Sequence, residues 1–366
     1  MSAVKNLKRK LGKVSGAKLL TIGFVSAFAA VGAYMLIYTH AATSSVAFEP
    51  EKGNTSSQVS TGSDTKASNG QYTQFGSGQC PAGQTGTPPN CQPSGGGSGA
   101  ILVGAGDIAE CSSQDDEKTA TLVTNVLNAN AGAVVFTAGD NAYPNGASGD
   151  YTNCYNPSWG AFKGKTKPDP GNHEWKTANA GGYFGYFGNA FGNSTTDWYS
   201  YNLGGWHIIM LDSNCSNINC TTETTWLKND LAASSAACTV AMWHHPVFNI
   251  GHHDTAGDTS KGKPFWQALD NAGADLIING HDHNYQRWKP QRVDGTLDAT
   301  NGIREIVVGT GGASAYAFTR TDTKVEAKST GTAGVLKLTL KSNSYDWQFI
   351  PVAGGSFTDS GTGSCH

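Results

Sequence analysis

The sequence predicts an α/β domain with a layered sheet core from Ala100 onward. Short apolar runs recur there, and each ends in a polar turn that carries glycine. Helical stretches near residues 115–130, 223–234 and 262–272 lie between several of the runs. Runs of this length and character are typical of buried strands. The predicted strands are "AILVGAG", "AVVFTAG", "HIIMLDS", "TVAMWHH", "DLIINGH" and "EIVVGTGG".

Length and composition are compatible with a substantial core. The chain has 366 residues, of which 38% are hydrophobic and 10% aromatic, and its 47 glycines indicate long loops. A chain of this size and hydrophobicity is not disordered throughout.

Residues 1–42 read as an export segment. Six basic residues precede Leu19, and the uncharged stretch 19–38 has about the length of a membrane span. The segment is therefore a signal peptide or an N-terminal membrane anchor, and either places the rest outside the cell as a secreted or membrane-anchored protein. The remaining chain has 19 basic against 28 acidic residues, a formal net charge of −9. We therefore expect no binding to a nucleic-acid backbone.

Residues 43–98 are predicted to be a stalk and linker rich in Ser, Gly and Pro. The stretch "CPAGQTGTPPNCQPSGGGSG" lacks the apolar residues needed to fold alone. The piece from "FEPEKG" to "YTQFG" faintly resembles a fragment of carbohydrate-binding modules. Residues 99–366 are then the domain that carries the chemistry.

Eight cysteines in an exported chain predict disulfides. The short separations favour Cys80 with Cys91 and Cys215 with Cys220. Two further bridges would join the remaining four in a pairing that the sequence leaves open: Cys111, Cys154, Cys238 and Cys365. None of the cysteines forms a C-x-x-C pair, so a thiolate zinc site is disfavoured.

The ends of the predicted strands carry carboxylate, amide and imidazole groups. Such mixed oxygen and nitrogen donors suit zinc, iron or manganese. Because ligands gather beyond the carboxyl ends of strands in open α/β sheets, these groups are candidates for one site. They are Asp107, Asp140, Tyr143, Asn172, His173, Glu174, His244, His245, His281 and His283.

The motifs "GDIA", "GDNAY", "GNHE", "HHP" and "GHDH" follow one another between residues 100 and 320. Together they resemble the calcineurin-like metallophosphoesterases, and within them the purple acid phosphatases. The resemblance implies a four-layer α/β/β/α sandwich that holds two metal ions, iron together with zinc, manganese or iron. It assigns Asp107, Tyr143 and His283 to the first metal, assigns Asn172, His244 and His281 to the second, and makes Asp140 the bridge.

Ala109 departs from the pattern of many metallophosphoesterases, which have a metal-binding histidine at this position. Tyr143 would supply the missing ligand, as a tyrosinate on ferric iron does in the purple phosphatases. Ala109 also stands where the plant and animal purple phosphatases have glycine.

The resemblance further implies hydrolysis of phosphate monoesters by a metal-bound hydroxide. His173 would donate a proton or polarise the phosphate, and Asn172, His252 and His253 would contact the substrate. Glu174 and Asp282 are predicted to support the ligands. The substrate would be a small-molecule phosphoester, and the oligomeric state is left open.

Two other interpretations stay open. The same site could hydrolyse phosphodiesters or nucleotides. Alternatively, the chain could be a cell-surface binding protein whose phosphatase fold is inactive, although the complete set of ligand residues argues against that.

Overall fold

The computed structural model describes residues 99–191 and 196–366, except the side chains of 189 and 191, together with the backbone of four short strands nearer the N-terminus. The chain divides into two compact units, Met1–Gln79 and Cys80–His366. In the first unit, β1 (Val59–Ser63) pairs antiparallel with β2 (Gln71–Phe75). In the second, β3 (Gln84–Thr85) pairs with β4 (Gln92–Pro93), and the strands and helices described below follow.

The second unit is a mixed α/β fold with two large sheets. In chain order its strands are β5 (Ala100–Ala105), β6 (Val134–Thr137), β7 (Thr166–Lys167), β8 (Tyr199–Leu203), β9 (Trp206–Met210), β10 (Cys238–Met242), β11 (Leu276–Asn279), β12 (Asn284–Trp288), β13 (Arg304–Val308), β14 (Val325–Thr330), β15 (Gly334–Leu340), β16 (Ser344–Pro351) and β17 (Asp359–Ser364).

The helices are α1 (Asp115–Ala129), α2 (Ser148–Asp150), α3 (Gly181–Phe187), α4 (Cys220–Ala233), α5 (Ala256–Thr259) and α6 (Lys263–Ala272). A π-helical turn, Tyr151–Tyr155, follows α2, and 3₁₀ turns span Trp159–Lys165, Glu174–Lys176, Ala178–Ala180 and Gly188–Phe191. The ends of α4 and α6 have clear local causes. The Asn219 side chain accepts from the Thr221 and Thr222 amides in the first turn of α4, and α6 stops at Gly273, whose φ of 70° closes the helix.

The six-stranded sheet has the order β17-β16-β15-β5-β6-β7, and the seven-stranded sheet has the order β14-β12-β13-β11-β10-β9-β8. Each has a parallel part: β5, β6 and β7 in the first, and β9, β10, β11 and β13 in the second. The carboxyl ends of these parallel strands lead into the motif loops. The remaining strands extend the sheets in antiparallel fashion.

Alternate residues of β9 pack into different parts of the core, as the period of a strand requires. Ile208 and Met210 belong to a buried cluster that also contains residues of the six-stranded sheet. Ile209 lies in a second cluster, with Leu227 of α4 and Trp266 of α6. The seven-stranded sheet is therefore buried on both faces, which explains why its parallel strands read as continuous apolar runs.

Three disulfides are present in the described part of the chain. They join Cys111 to Cys154, Cys215 to Cys220 and Cys238 to Cys365. The predicted Cys215–Cys220 bridge is confirmed, and the structure resolves the pairing that the sequence left open. The predicted bridge between residues 80 and 91 lies outside the described residues.

The six predicted strands and the three predicted helices all form, so the prediction of a mixed α/β fold is confirmed. The predicted export segment, and the stalk apart from its short strands, lie outside the described residues. Within the described part of the chain, no helix is both long enough and apolar enough to cross a bilayer.

Candidate metal centre

The loops that follow the parallel strands of both sheets bring the predicted ligands together. Asp107, Asp140 and Asn172 follow β5, β6 and β7 of the six-stranded sheet, whereas His244 and His281 follow β10 and β11 of the seven-stranded sheet. A hydrogen bond connects the residues of the two sheets: the His281 amide donates to Asp107 Oδ2 at 2.8 Å. The site therefore lies where the carboxyl ends of the two parallel segments meet.

Three of the predicted ligands have left-handed backbone conformations. The φ angles are 57° at Asp107, 48° at Asp140 and 72° at His281. This region is unfavourable for residues with a Cβ, and such strain concentrates at functional sites.

Two glycines are required by the close approach of predicted ligands. A Cβ at Gly139, where φ is 78°, would lie 2.4 Å from His244 Nδ1. A Cβ at Gly171 would lie 2.1 Å from Asp140 Oδ1. The glycines of the "GD" and "GNH" motifs are thus explained by space for the neighbouring ligand.

The Tyr143 hydroxyl is the centre of the first group of predicted ligands. It lies 2.9 Å from His283 Nε2, 3.0 Å from Asp107 Oδ1 and 3.1 Å from Asp140 Oδ2. His283 Nδ1 lies 2.7 Å from the Ser314 carbonyl, which only accepts, so Nδ1 carries the proton and Nε2 faces the hydroxyl. When His283 is neutral, the one hydroxyl proton can serve only one of these three acceptors.

His244 Nε2 is the centre of the second group. It lies 3.2 Å from Asn172 Oδ1, 3.2 Å from His281 Nδ1 and 3.3 Å from Asp140 Oδ2. His244 Nδ1 donates to the Ala138 carbonyl at 2.8 Å, which fixes the ring. Asp140 Oδ2 thus faces the central atom of each group, as the predicted bridging role requires.

In the protein without metal ions, the pKa values of the predicted ligands are shifted in the directions that favour positive charge in these groups. Burial raises the pKa of the Asp140 carboxyl, but His244 and then His173 outweigh burial and hold it well below its usual range. Burial lowers the pKa of His244, but Asp140 outweighs it and raises the pKa to about 9. A proton on His244 therefore neutralises the carboxylate when no metal ion is present.

The first group behaves similarly. Burial opposes ionisation of Asp107 and His283, yet their mutual attraction lowers the pKa of the carboxyl and raises that of the imidazole. Burial, followed by Asp107 and Asp140, raises the pKa of the Tyr143 phenol well above its ordinary value. Without a cation, Tyr143 is consequently a neutral hydrogen-bond donor.

The donor set fits two cations. Converging lone pairs outnumber the protons available to them, and the carboxylates of Asp107 and Asp140 are buried, with 0% and 2% exposure. The ligand atoms of Asp140, His244 and His281 lie within 4.8 Å of one another, close enough to share an ion. Oxygen donors together with imidazole nitrogens match the preferences of zinc, iron and manganese.

The predicted proton donor His173 lies at the edge of the site. Its side chain is 22% exposed, and Nε2 lies 3.8 Å from Asp140 Oδ2. Its backbone amide donates to Asp140 Oδ1 at 2.8 Å. Lys176, which the sequence analysis did not single out, places its Nζ 2.9 Å from His173 Nε2.

Of the two predicted substrate contacts, His252 and His253, His253 is the closer to the centre. Its ring centroid lies 4.0 Å from that of His281, whereas the exposed His252 packs beside Tyr316 at 5.1 Å. Both backbone amides donate to the Asp282 carboxylate, at 2.8 and 3.2 Å. Asp282 therefore holds this loop in place.

Glu174 supports the loops of the six-stranded sheet. It accepts from the amides of Asn141 and Gly171, at 2.9 and 2.7 Å, and from the Tyr151 hydroxyl at 3.1 Å. His245, the middle residue of "HHP", is fully buried and bonds to Ser213 Oγ at 2.7 Å.

Tyr316 is the clearest site residue that the sequence analysis missed. Its ring stacks on His283, with centroids 4.0 Å apart and an interplanar angle of 15°. Its amide donates to the His283 carbonyl at 3.1 Å. The only signal was its position four residues after the "GTGG" turn that follows β13.

Comparison with known families agrees with this geometry. Residues 102–285 match the model of the calcineurin-like phosphoesterase family. The chain belongs to this family, and the predicted family is confirmed.

Sequence relatives place it near one branch of that family. The chain is 31% identical to Purple acid phosphatase 15 of Arabidopsis thaliana over 220 residues, which are 50% of this chain and 40% of the relative. It is 27% identical to Purple acid phosphatase 23 of the same plant over 177 residues, 43% of this chain and 38% of the relative. The chain thus spans about two fifths of the length of these relatives.

Solved structures with the same fold include one described as a phosphatase and one described as an anchor. A purple acid phosphatase from yellow lupin (Lupinus luteus) seeds matches with a TM-score of 0.59 and 19% identity, over 80% of this chain and 56% of that one. GAP50, described as the anchor in the inner membrane complex of Plasmodium, matches with a TM-score of 0.58 and 14% identity, over 74% of this chain and 90% of that one. At these identities the likeness shows the fold alone.

Proposed function

We propose that this protein is an exported, binuclear metal-dependent phosphoesterase that hydrolyses phosphate monoesters of small molecules. The observation that carries the proposal is the convergence of seven ligand residues from both sheets on two adjacent points, with Asp140 facing both. We also propose that the domain is a four-layer α/β/β/α sandwich. The packing of α4 and α6 on the seven-stranded sheet supports this arrangement.

The ions would be iron together with zinc, manganese or iron. When bound, two such cations would neutralise phosphate oxygens and lower the pKa of a water molecule that serves as the nucleophile. Asp107, Tyr143 and His283 would hold one ion, and Asn172, His244 and His281 the other, with Asp140 shared.

Residues at the rim are proposed to act on the substrate. His173 is partly exposed beside Asp140, so it is placed to hydrogen-bond the phosphate, or to give a proton to the leaving oxygen once its Nε2 is protonated and released from Lys176. His253 and His252 occupy the opposite loop and would contact the ester. Asn172, through its amide, is the remaining proposed substrate contact.

Export is supported by the three disulfides and by the apolar stretch 19–38 after a basic segment. The proposed location is extracellular, either secreted or anchored to the membrane. No nucleic-acid partner is proposed, because the chain after the basic segment is acidic.

A second candidate is a surface binding protein with an inactive phosphatase fold. The likeness to a protein described as an anchor favours it. The complete ligand set argues against it, since a fold kept only for binding has no need of buried, facing carboxylates.

The test compares turnover of p-nitrophenyl phosphate with that of bis(p-nitrophenyl) phosphate, for the metal-loaded protein and for His281→Ala. We expect faster monoester turnover, and a loss in His281→Ala far larger than any loss of thermal stability. Faster diester turnover would favour phosphodiesterase or nucleotide hydrolase activity. No turnover of either ester by a metal-loaded protein would favour the binding protein.

A further inference from the structure

The outer edge of the His281 imidazole lacks a partner in the hydrogen-bond network. His281 faces the centre through Nδ1, 3.2 Å from His244 Nε2, so its Nε2 points away. The residue is 5% exposed, and Nε2 has no hydrogen-bond partner within the described part of the chain. An unpaired polar atom in such a position is costly and calls for an explanation.

The carboxylate that faces this edge belongs to Asp258 in the short helix α5. Asp258 Oδ1 lies 3.7 Å from His281 Nε2, just beyond hydrogen-bond range. Its other oxygen lies 3.9 Å from His253 Nδ1. Asp258 is therefore placed between a predicted metal ligand and a predicted substrate contact.

Neighbouring groups hold the Asp258 carboxylate in this position. Lys261 Nζ donates to Oδ1 at 3.0 Å, and the Thr255 hydroxyl donates to Oδ2 at 2.8 Å. Lys261 Nζ also lies 2.8 Å from His245 Nε2. Because lysine only donates, His245 accepts there, and its Nδ1 proton is directed to Ser213 Oγ. The carboxylate is thus anchored to the buried core.

This cluster is not a third metal site. The ligand atoms of His245, Asp258 and His281 lie within 4.8 Å of one another, which would suit an ion. The Lys261 ammonium already contacts two of the three and supplies the positive charge. What the cluster offers beyond that charge is an acceptor for His281.

We propose that Asp258 is a positioning residue: when the second metal position is occupied, it closes the 3.7 Å separation to accept the Nε2–H of His281 and so keeps the Nδ1 lone pair directed at the metal. Ligating histidines generally donate their other ring N–H to a carboxylate or carbonyl, which fixes the tautomer and the ring orientation. His244 and His283 already do so with the Ala138 and Ser314 carbonyls. Asp258 completes the pattern. The inference rests on the metal centre proposed above.

The first measurement uses the unaltered protein loaded with zinc. Long-range ¹H–¹⁵N NMR correlations of the histidine rings report which nitrogen is protonated. We expect a proton on His281 Nε2 and metal on Nδ1. Metal on Nε2 would overturn the proposal, and this measurement does not depend on whether any variant folds.

The second measurement is the affinity of the two metal positions, determined by competition with a chelator. Asp258→Ala is expected to lower the affinity for one of the two ions by about 10- to 100-fold, the usual effect of losing the hydrogen-bond partner of a ligating histidine. Asp258→Asn, which keeps an acceptor oxygen, is expected to recover part of the loss. Thermal unfolding in EDTA should remain close to that of the unaltered protein, because Asp258 lies in a four-residue helix that has no buried residue.

The matched control is Asp254→Ala in the same loop, where Asp254 pairs with Arg320 instead of a ligand. It is expected to bind both ions like the unaltered protein. Equal affinities in Asp258→Ala and the control would overturn the role of Asp258 while leaving the metal centre standing. Failure of the unaltered protein to bind any metal would instead overturn the proposed function and this inference with it.

Discussion

The substitution Gly171→Ala tests whether the Asp140 carboxylate must lie where the structure places it. Gly171 opens the "GNHE" motif, and its amide donates to Glu174 Oε2 at 2.7 Å. An alanine Cβ would lie 2.1 Å from Asp140 Oδ1 and 2.3 Å from Asp140 N. Contacts of a Cβ below 3.0 Å are essentially never observed, so the Asp140 region must move by about 1 Å.

The expected magnitude follows from this displacement. Overpacking of this kind costs about 1–3 kcal/mol, and each kcal/mol lowers the Tm of a domain of this size by about 2–4 °C. A misplacement of about 1 Å at a reacting centre costs on the order of 100-fold in rate. Because Asp140 faces both ligand groups, both metal affinities should fall together.

The assay combines thermal unfolding in EDTA, metal titration and monoester turnover. The control is Gly164→Ala, where nothing lies within 4 Å of the new Cβ. We expect the control to match the unaltered protein in all three measurements. If Gly171→Ala matched it as well, the close approach to Asp140 and the bridging role would both be wrong.

Four further predictions use other residues. His173→Ala should keep its metal content and slow esters with poor leaving groups most, by about 10²–10⁴-fold; uniform slowing would indicate phosphate binding instead. With ferric iron, the loaded protein should show a visible tyrosinate band that is lost in Tyr143→Phe, and persistence of the band would exclude Tyr143 as the ligand. Metal affinity should rise with pH up to about 9, because the ion must displace the proton of His244, whose pKa is raised to about 9. Calorimetry in buffers of different ionisation enthalpy would show the proton release. A metal affinity that does not change with pH would contradict this prediction. Replacing both Cys111 and Cys154 by serine should cost about 4 kcal/mol of unfolding free energy for a separation of 43 residues, and an unchanged urea midpoint would contradict that.

The parallel strands were predictable because both of their faces are buried. Runs such as "DLIIN" must be apolar throughout when they lie between two layers, and the residue after such a run lies at a sheet edge where ligands gather. The clustering of the predicted ligand residues, from Asp107 to His283, at these sheet edges was therefore predictable.

The antiparallel extensions were not predictable in the same way. β17 reads "DSGTGS" and has no apolar residue, so its stability comes from pairing with β16 and from the Cys238–Cys365 bridge. β14 alternates between partly buried and exposed residues and resembles a loop in sequence. Such strands depend on neighbours that are distant in the chain.

The residues that lie against the predicted ligands could not be predicted from the sequence either. Tyr316 stacks on His283, and Asp258 faces His281, only because of the paths that their loops take. Neither residue belongs to a motif with a fixed spacing from the histidine that it faces. Contacts of this kind are decided by tertiary packing, which a local pattern does not report.

Elemental analysis of the purified, remetallated protein is the most direct test of the metal centre. We predict two transition-metal ions per chain for the unaltered protein and fewer than two for His281→Ala at the same fraction folded. A correctly folded, remetallated chain that retains no ion would contradict the account.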